Sequence, residues 1–271
     1  MPELPEVETT CRGVEPHVTK QSIAQVHVYQ PSLRWPVPQA VESLAGLRIE
    51  RVFRRAKYLI FQLSDGQHLL MHLGMSGVIR VVPAKTALQK HDHFELVMTQ
   101  GQSLRLNDPR RFGCVLLLGQ EPMQHRLLSS LGPEPLTAAF NGQWLKTQAT
   151  NKQQAVKNFI MDNHVVVGVG NIYAAESLFK AGINPLRAAS RVSLQRYERL
   201  ATCIKQVLSQ AISAGGTTLN DFKNTEGKPG YFKQELLVYG RAGEACVQCG
   251  STIRNRILGQ RASCYCPTCQ T

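Results

Sequence analysis

Val52-Phe53-Arg54-Arg55-Ala56-Lys57-Tyr58-Leu59-Ile60-Phe61-Gln62-Leu63 decides the reading of the amino-terminal half, together with Ser64-Asp65-Gly66 and Leu69-Leu70-Met71-His72-Leu73 behind it. The first run is rich in apolar and β-favouring residues, the Asp-Gly step turns the chain, and a second apolar run returns, which is the pattern of antiparallel strands. Within the first run Lys57 reads, on pattern alone, as a charged residue on a strand face. Outward from this stretch, His93 to Met98 and Ser103 to Leu106 make a second pair across Gln100-Gly101-Gln102, and Gly113 to Leu118 is a further buried strand. Toward the amino terminus, Val7, Cys11 and Val14 recur at helical spacing. The half is mainly antiparallel β with flanking helices.

Leu131-Gly132-Pro133-Glu134-Pro135-Leu136 is a stiff Pro/Gly segment, and a domain boundary is expected there. Beyond it the texture is helical. Leu194, Tyr197, Leu200, Ala201, Ile204, Val207, Leu208, Ala211 and Ile212 form one sustained face, with Ser193 placed to cap the helix and Gly215 past its end. Gly227-Lys228-Pro229-Gly230 reads as a loop. A chain of 271 residues suits two domains with a small appendage. The expected division is 1–133, 134–236 and 237–271, and the class is α+β.

Lys and Arg total 31 against 19 Asp and Glu, a formal charge of +12. The excess is +4 up to residue 150 and +8 after it. Such a balance points to a polyanionic partner, foremost nucleic acid, or to a merely soluble basic protein. No apolar run approaches the ~18–20 residues of a spanning helix. The opening Met-Pro-Glu-Leu-Pro-Glu is no signal peptide. Membrane and secreted classes are disfavoured, and a cytoplasmic protein is expected.

Five of the eight cysteines crowd the last 26 residues. Cys246-x2-Cys249 and Cys266-x2-Cys269 are two knuckles that can surround one Zn²⁺ with four thiolates. Cys264 offers a competing Cys-x-Cys pair with Cys266, but the symmetric knuckle favours Cys266 with Cys269. Between the knuckles Arg254, Arg256 and Arg261 accompany few large apolar residues, so the metal is expected to fold this stretch and present the arginines on a β-hairpin. The bland alternative is a stapled lid with solvated arginines.

Pro2 follows the initiator Met directly, and removal of Met1 would leave a secondary amine able to attack an electrophilic sugar carbon. Glu3, Glu6 and Glu8 crowd beside it. A carboxylic acid there could protonate a leaving or ring oxygen, or the acids simply complement a helix dipole.

Pro2-Glu3-Leu4-Pro5-Glu6-Val7-Glu8-Thr9 resembles the amino-terminal signature of bacterial formamidopyrimidine-DNA glycosylases. The resemblance continues in order through Arg54-Arg55-Ala56-Lys57-Tyr58-Leu59, His72-Leu73-Gly74-Met75-Ser76-Gly77, Lys90-His91-Asp92-His93 and Asp108-Pro109-Arg110-Arg111-Phe112-Gly113. It goes on through Val167-Gly168-Val169-Gly170-Asn171-Ile172-Tyr173, Gly227-Lys228-Pro229-Gly230-Tyr231-Phe232 and the terminal cysteine finger, and so spans essentially the whole chain.

The resemblance implies an N-terminal antiparallel β-sandwich, a helix–two-turn–helix domain and a zinc ribbon. It implies excision of 8-oxoguanine and formamidopyrimidines from duplex DNA, with abasic-site lyase activity, in base-excision repair. Pro2 inherits the nucleophile's role, Glu3 protonation of the deoxyribose ring oxygen, Lys57 active-site assistance and Glu6 a supporting place. Met75, Arg110 and Phe112 match the trio that fills the gap left by a flipped base; a flexible thioether, a planar cation and an aromatic wedge suit that task. His72, His91, Lys157, Asn171, Tyr239 and Arg261 match positions that contact DNA phosphates, and His93 is read as structural. Thr217 to Tyr231 resembles the loop that closes over the damaged base. One structural Zn²⁺, a monomer and a bacterial cytoplasm are expected. The rivals are a sister glycosylase resembling endonuclease VIII, which acts on oxidised pyrimidines and usually has Gly at the position of Leu4, and a non-catalytic zinc DNA-binding protein.

Overall fold

Residues 2–215 and 236–271 are described by a computed structural model. The expected loop over 217–231 lies outside the described residues. The described chain divides into two compact units, one containing residues 2–129 and the other residues 130–213 and 236–271.

The first unit begins with helix α1 (Leu4–Val18), whose first turn carries Pro5, where the missing amide hydrogen costs nothing. Val7, Cys11, Val14 and Val18 are buried along one face. Eight strands follow: β1 (Ile23–Val28), β2 (Ile49–Arg55), β3 (Tyr58–Leu63), β4 (His68–His72), β5 (Val78–Pro83), β6 (Asp92–Met98), β7 (Gln102–Asn107) and β8 (Cys114–Leu118). They form two four-stranded antiparallel sheets, in the orders β1-β6-β7-β5 and β2-β3-β4-β8. Leu96, Leu104 and Leu106 of the first sheet share one core with Leu59, Phe61, Leu69 and Met71 of the second and with the buried face of α1. Burying these alternate residues is the main force that holds the sandwich and its registers.

One expectation is corrected here. The run from Val52 to Leu63 is two strands rather than one, and Arg55 pairs with Tyr58 across a two-residue turn, Ala56-Lys57. Ala56 takes the left-handed φ of 52° that Gly, Asn or Asp usually supplies, so nothing in the residue types announced a turn. Lys57 therefore stands at a hairpin tip and not on a strand face.

The second unit holds α2 (Gly142–Gln148), α3 (Val156–Ile160), α4 (Asn171–Ala181) and α5 (Leu194–Ser213), then a hairpin of β9 (Arg254–Leu258) and β10 (Arg261–Tyr265). The α5 face from Tyr197 to Ile212 is buried as its spacing predicts; Leu194, in the first turn, is instead 37% exposed. Val165, Val166, Val167 and Val169 are buried in the two turns that join α3 to α4, with Gly168 at φ 80°. The finger is not folded by its cysteines alone. Val238, Ile253 and Cys264 form a small core with Ala175 and Phe179 of α4. Among the described residues no helix is long and apolar enough to cross a membrane.

Candidate active site and nucleic-acid interface

Pro2 and Glu3 immediately precede α1, and both are buried. Glu3 is the helix cap and forms a reciprocal capping box with Glu6, whose carboxylate accepts the Glu3 amide hydrogen at 2.8 Å. Glu6 is thereby a bracket for the backbone that carries Glu3. Glu8 has a different task. It accepts from Arg54 Nε at 2.8 Å and from Arg12 Nε at 2.8 Å. Burial pulls its pKa upward, but the two guanidiniums outweigh that and leave it below the ordinary glutamate value. Arg54 also donates from Nη1 to Ala56 O at 2.8 Å. One guanidinium thus ties the helix that begins behind Pro2 to the hairpin tip that carries Lys57. Sequence reasoning did not single out Arg54, and its neighbour Arg55 offers the same charge; only the strand register tells them apart.

A second locked pair of loops carries the expected gap-filling trio. Asp108, fully buried, accepts from Ser76 Oγ at 2.9 Å and from the Gly113 amide at 2.7 Å. It joins the Met75 turn to the loop that bears Arg110 and Phe112. The two backbones touch: a Cβ on Gly74 would meet Gly113 N at 2.4 Å, and one on Gly113 would meet His72 O at 2.6 Å. Glycine is obligatory at both positions. The Arg110 guanidinium lies over the Phe112 ring, 4.9 Å from its centroid, and Phe112 is 47% exposed. A hollow of about 530 Å³ beside them is lined by Arg34, His72, Met75, Arg111 and Phe112, among others.

His72 Nδ1 accepts the Gly74 amide hydrogen at 2.9 Å, so in the neutral ring Nε2 carries the proton and is the donor. Burial, then the charges of Lys57 and Arg34, push its pKa down to about 4. A neutral donor suits a phosphate oxygen without the cost of burying an imidazolium. His91 has a left-handed φ of 74° and is partly exposed. His93 is buried, with Nε2 2.9 Å from Asp108 O, which makes it part of the same loop support.

In the second unit, Asn171 is the first residue of α4 behind Gly170 as cap. Lys157 lies on α3 and is 1% exposed; its ammonium donates to Ala262 O at 2.9 Å and Ser263 Oγ at 2.7 Å, next to Arg261. Arg261 itself is exposed at the start of β10. Tyr239 is half-buried, and its amide, with those of Leu237 and Val238, donates to the buried Glu176 carboxylate at 2.8–3.0 Å. Sequence reasoning missed both Glu176 and the inward direction of Lys157.

Cys246, Cys249, Cys266 and Cys269 bring their sulfurs within 4.8 Å of one another. The Cys246–Cys269 and Cys249–Cys266 pairs stand at 3.9 and 3.5 Å. A tetrahedral ZnS₄ centre with bonds of about 2.3 Å has edges of about 3.8 Å, so the donor set fits zinc. Cys264 lies outside this cluster and packs in the finger core, as the symmetric-knuckle reading expects.

Residues 1–115 match the family model of the formamidopyrimidine-DNA glycosylase N-terminal domain, and residues 131–223 match that of the formamidopyrimidine-DNA glycosylase H2TH domain. The chain belongs to the formamidopyrimidine-DNA glycosylase family. Relatives named formamidopyrimidine-DNA glycosylase in Alcanivorax borkumensis and Xanthomonas axonopodis pv. citri are 57% and 55% identical, each over the whole of both chains. The crystal structure of the MutM (Fpg) protein from Thermus thermophilus is 36% identical, with a TM-score of 0.90 over 99% of this chain and 98% of that one. The Lactococcus lactis Fpg bound to DNA containing N7-benzyl-Fapy-dG is 30% identical, with a TM-score of 0.92 over 100% of both. The β-sandwich, the helix–two-turn–helix and the cysteine finger are the architecture of this glycosylase family.

Proposed function

We propose that the chain is a DNA glycosylase and abasic-site lyase that excises oxidised purines, 8-oxoguanine and formamidopyrimidines, from duplex DNA in base-excision repair. The Pro2–Glu3–Glu6 arrangement carries this reading: a proline whose nitrogen becomes a secondary amine once Met1 is removed, followed by a buried carboxyl group held by a capping box. The Pro2 amine attacks C1′ of the damaged nucleoside and the bond from C1′ to the base breaks. Glu3 delivers a proton to the ring oxygen, which departs from C1′ as a hydroxyl and leaves an iminium. The iminium acidifies the C2′ hydrogen. Its removal expels the 3′ phosphate, a second elimination expels the 5′ phosphate, and water then frees Pro2, leaving a one-nucleotide gap.

Lys57 contacts phosphate and assists at the active site from its hairpin tip. Met75, Arg110 and Phe112 fill the space of the flipped base, and Arg110 donates to the orphaned cytosine. His72, His91, Asn171, Tyr239 and Arg261 hold phosphates, and Lys157 adds its charge at the finger hairpin that it grips. Cys246, Cys249, Cys266 and Cys269 bind one structural zinc, whose chemistry is to staple the finger. Residues 1–133 act as the catalytic domain, 134–236 as the DNA-binding domain and 237–271 as the finger. The enzyme works as a monomer in the bacterial cytoplasm. Leu4, where the oxidised-pyrimidine family usually has Gly, favours purine lesions.

Borohydride trapping on a duplex with 8-oxoguanine opposite cytosine tests this directly. A covalent adduct that peptide mapping assigns to Pro2 is the expected result, with most activity lost in Pro2→Gly. An adduct on Lys57 overturns the assignment.

A further inference from the structure

Arg54 stands between the two ends of the proposed active site, and the reaction as described gives it no part. It is the last residue but one of β2, and its side chain is 10% exposed. Nε donates to Glu8 Oε2 and Nη1 donates to Ala56 O, each at 2.8 Å. Burial works against the Glu8 charge, but Arg54 and Arg12 outweigh it and hold the carboxyl below the ordinary glutamate value. The bond to Glu8 is therefore charged on both sides, and the bond to Ala56 O has a charged donor, which makes both of them strong. Alternate side chains of a strand take opposite faces, so Arg55, with the same charge, is directed away from this bridge.

The bond to Ala56 O reaches Lys57 through the peptide that joins them. That peptide is planar, so the direction of the Ala56 carbonyl fixes the plane that also contains the nitrogen and Cα of Lys57. The turn holds only Ala56 and Lys57 between the paired Arg55 and Tyr58, and it has no further residue to absorb a shift. Ala56 sits at a φ of 52°, a backbone state that an alanine adopts only at a cost. A clamp on its carbonyl is what such a turn needs to keep one geometry.

The bond to Glu8 reaches the other side of the reaction. Glu8 belongs to α1, whose cap is Glu3 and which begins directly behind Pro2. The guanidinium is thus a strut from the helix that carries Pro2 and Glu3 to the turn that carries Lys57. A misplacement of about 1 Å in a group that acts on the substrate costs on the order of 10²-fold in rate. We propose that Arg54 is a positioning residue of this reaction: it holds Lys57 in place relative to Pro2 and Glu3, and its loss is felt through Lys57. The inference rests on the roles proposed above for Pro2 and Lys57.

A double-mutant cycle separates positioning from bulk support of the fold. The full-length protein, zinc included, is compared as wild type, R54M, K57M and R54M/K57M by single-turnover borohydride trapping on a duplex with 8-oxoguanine opposite cytosine. Methionine keeps most of the apolar stem of either side chain and removes the donors. R54M should slow trapping roughly tenfold or more when Lys57 is present, and by less than about threefold when K57M has already removed it. A role in stability alone would cost the same in both backgrounds. R54K gives a second reading that does not depend on how R54M folds. One ammonium keeps the charge but cannot reproduce the planar fork that spans two acceptors, so R54K should be slowed like R54M. Equal losses in the two backgrounds, or a wild-type rate in R54M, R54K or K57M, overturns the inference while a Pro2 adduct in the wild type leaves the assignment of the reaction standing. A wild type that forms no Pro2 adduct overturns that assignment and this inference together.

Discussion

Glu176 Oε1 accepts the Tyr239 amide hydrogen at 2.8 Å, across 63 residues of sequence, and the same carboxylate also takes the amides of Leu237 and Val238. A buried α4 side chain therefore fixes the backbone that enters the finger and holds Tyr239 in place. Glu176→Gln keeps the acceptor for two amides and turns a donor NH₂ toward Leu237. An unsatisfied buried donor costs about 1–3 kcal/mol, and the variant should lose that much in urea unfolding while retaining zinc. Unchanged stability would show that the three bonds contribute nothing net.

Cys266→Ser should lose metal and DNA affinity together, because a three-thiolate site no longer closes the tetrahedron. Cys264→Ser should keep one equivalent of zinc by atomic absorption. The reverse outcome would move the ligand assignment to Cys264.

His72 links stability to pH. Its folded pKa lies near 4 and that of a free imidazole near 6.5, so the unfolded chain binds the proton first as pH falls. The contribution is fully present above pH 6.5 and is lost as pH falls toward 4. It amounts at most to roughly 3 kcal/mol. The unfolding free energy should therefore decline over pH 6.5 to 4, and His72→Gln should flatten that decline. Equal slopes in the two proteins would refute the link.

Arg110 should set preference for the base opposite the lesion. Flipping a purine leaves a buried cytosine with unmet hydrogen bonds, worth about 1–3 kcal/mol, that a guanidinium can satisfy; adenine presents a donor where cytosine accepts. Arg110→Ala should lose activity on 8-oxoguanine:cytosine and lose discrimination against 8-oxoguanine:adenine. Phe112→Ala should slow both without altering their ratio. An intact ratio in Arg110→Ala transfers the role to Arg111. Asp108→Asn, which disturbs the acceptor for Gly113 and Ser76, should slow both substrates through the loop rather than through the reader.

Much of the site was legible because it is written in short stretches. The cysteine knuckles, the Asp108-Pro109 loop, the α5 stripe and the Pro2-Glu3 start each depend on neighbours within a few turns of chain. The Ala56-Lys57 turn was not legible, since neither residue is a turn former and the flanking strands are equally apolar. The inward direction of Lys157 was not legible for another reason: the resemblance gave only a phosphate-contacting position, and packing against the hairpin is what turns the side chain inward.

Composition and periodicity were enough to give an antiparallel β half, a helical half and a four-cysteine cluster that fits a metal, and the resemblance carried by motif order gave the candidate residues of a DNA glycosylase. Those features rest on spacing along one chain, and spacing is conserved by any folding that forms the local elements. The supports around them came from tertiary structure alone. Arg54 joins Glu8 to Ala56, Asp108 joins Ser76 to Gly113, and Glu176 and Lys157 grip segments 61–63 and 105–106 residues away. Each is a choice among chemically equivalent arginines, aspartates, glutamates or lysines. Strand register and helix packing make that choice by deciding which one side chain reaches the buried backbone group that needs a partner.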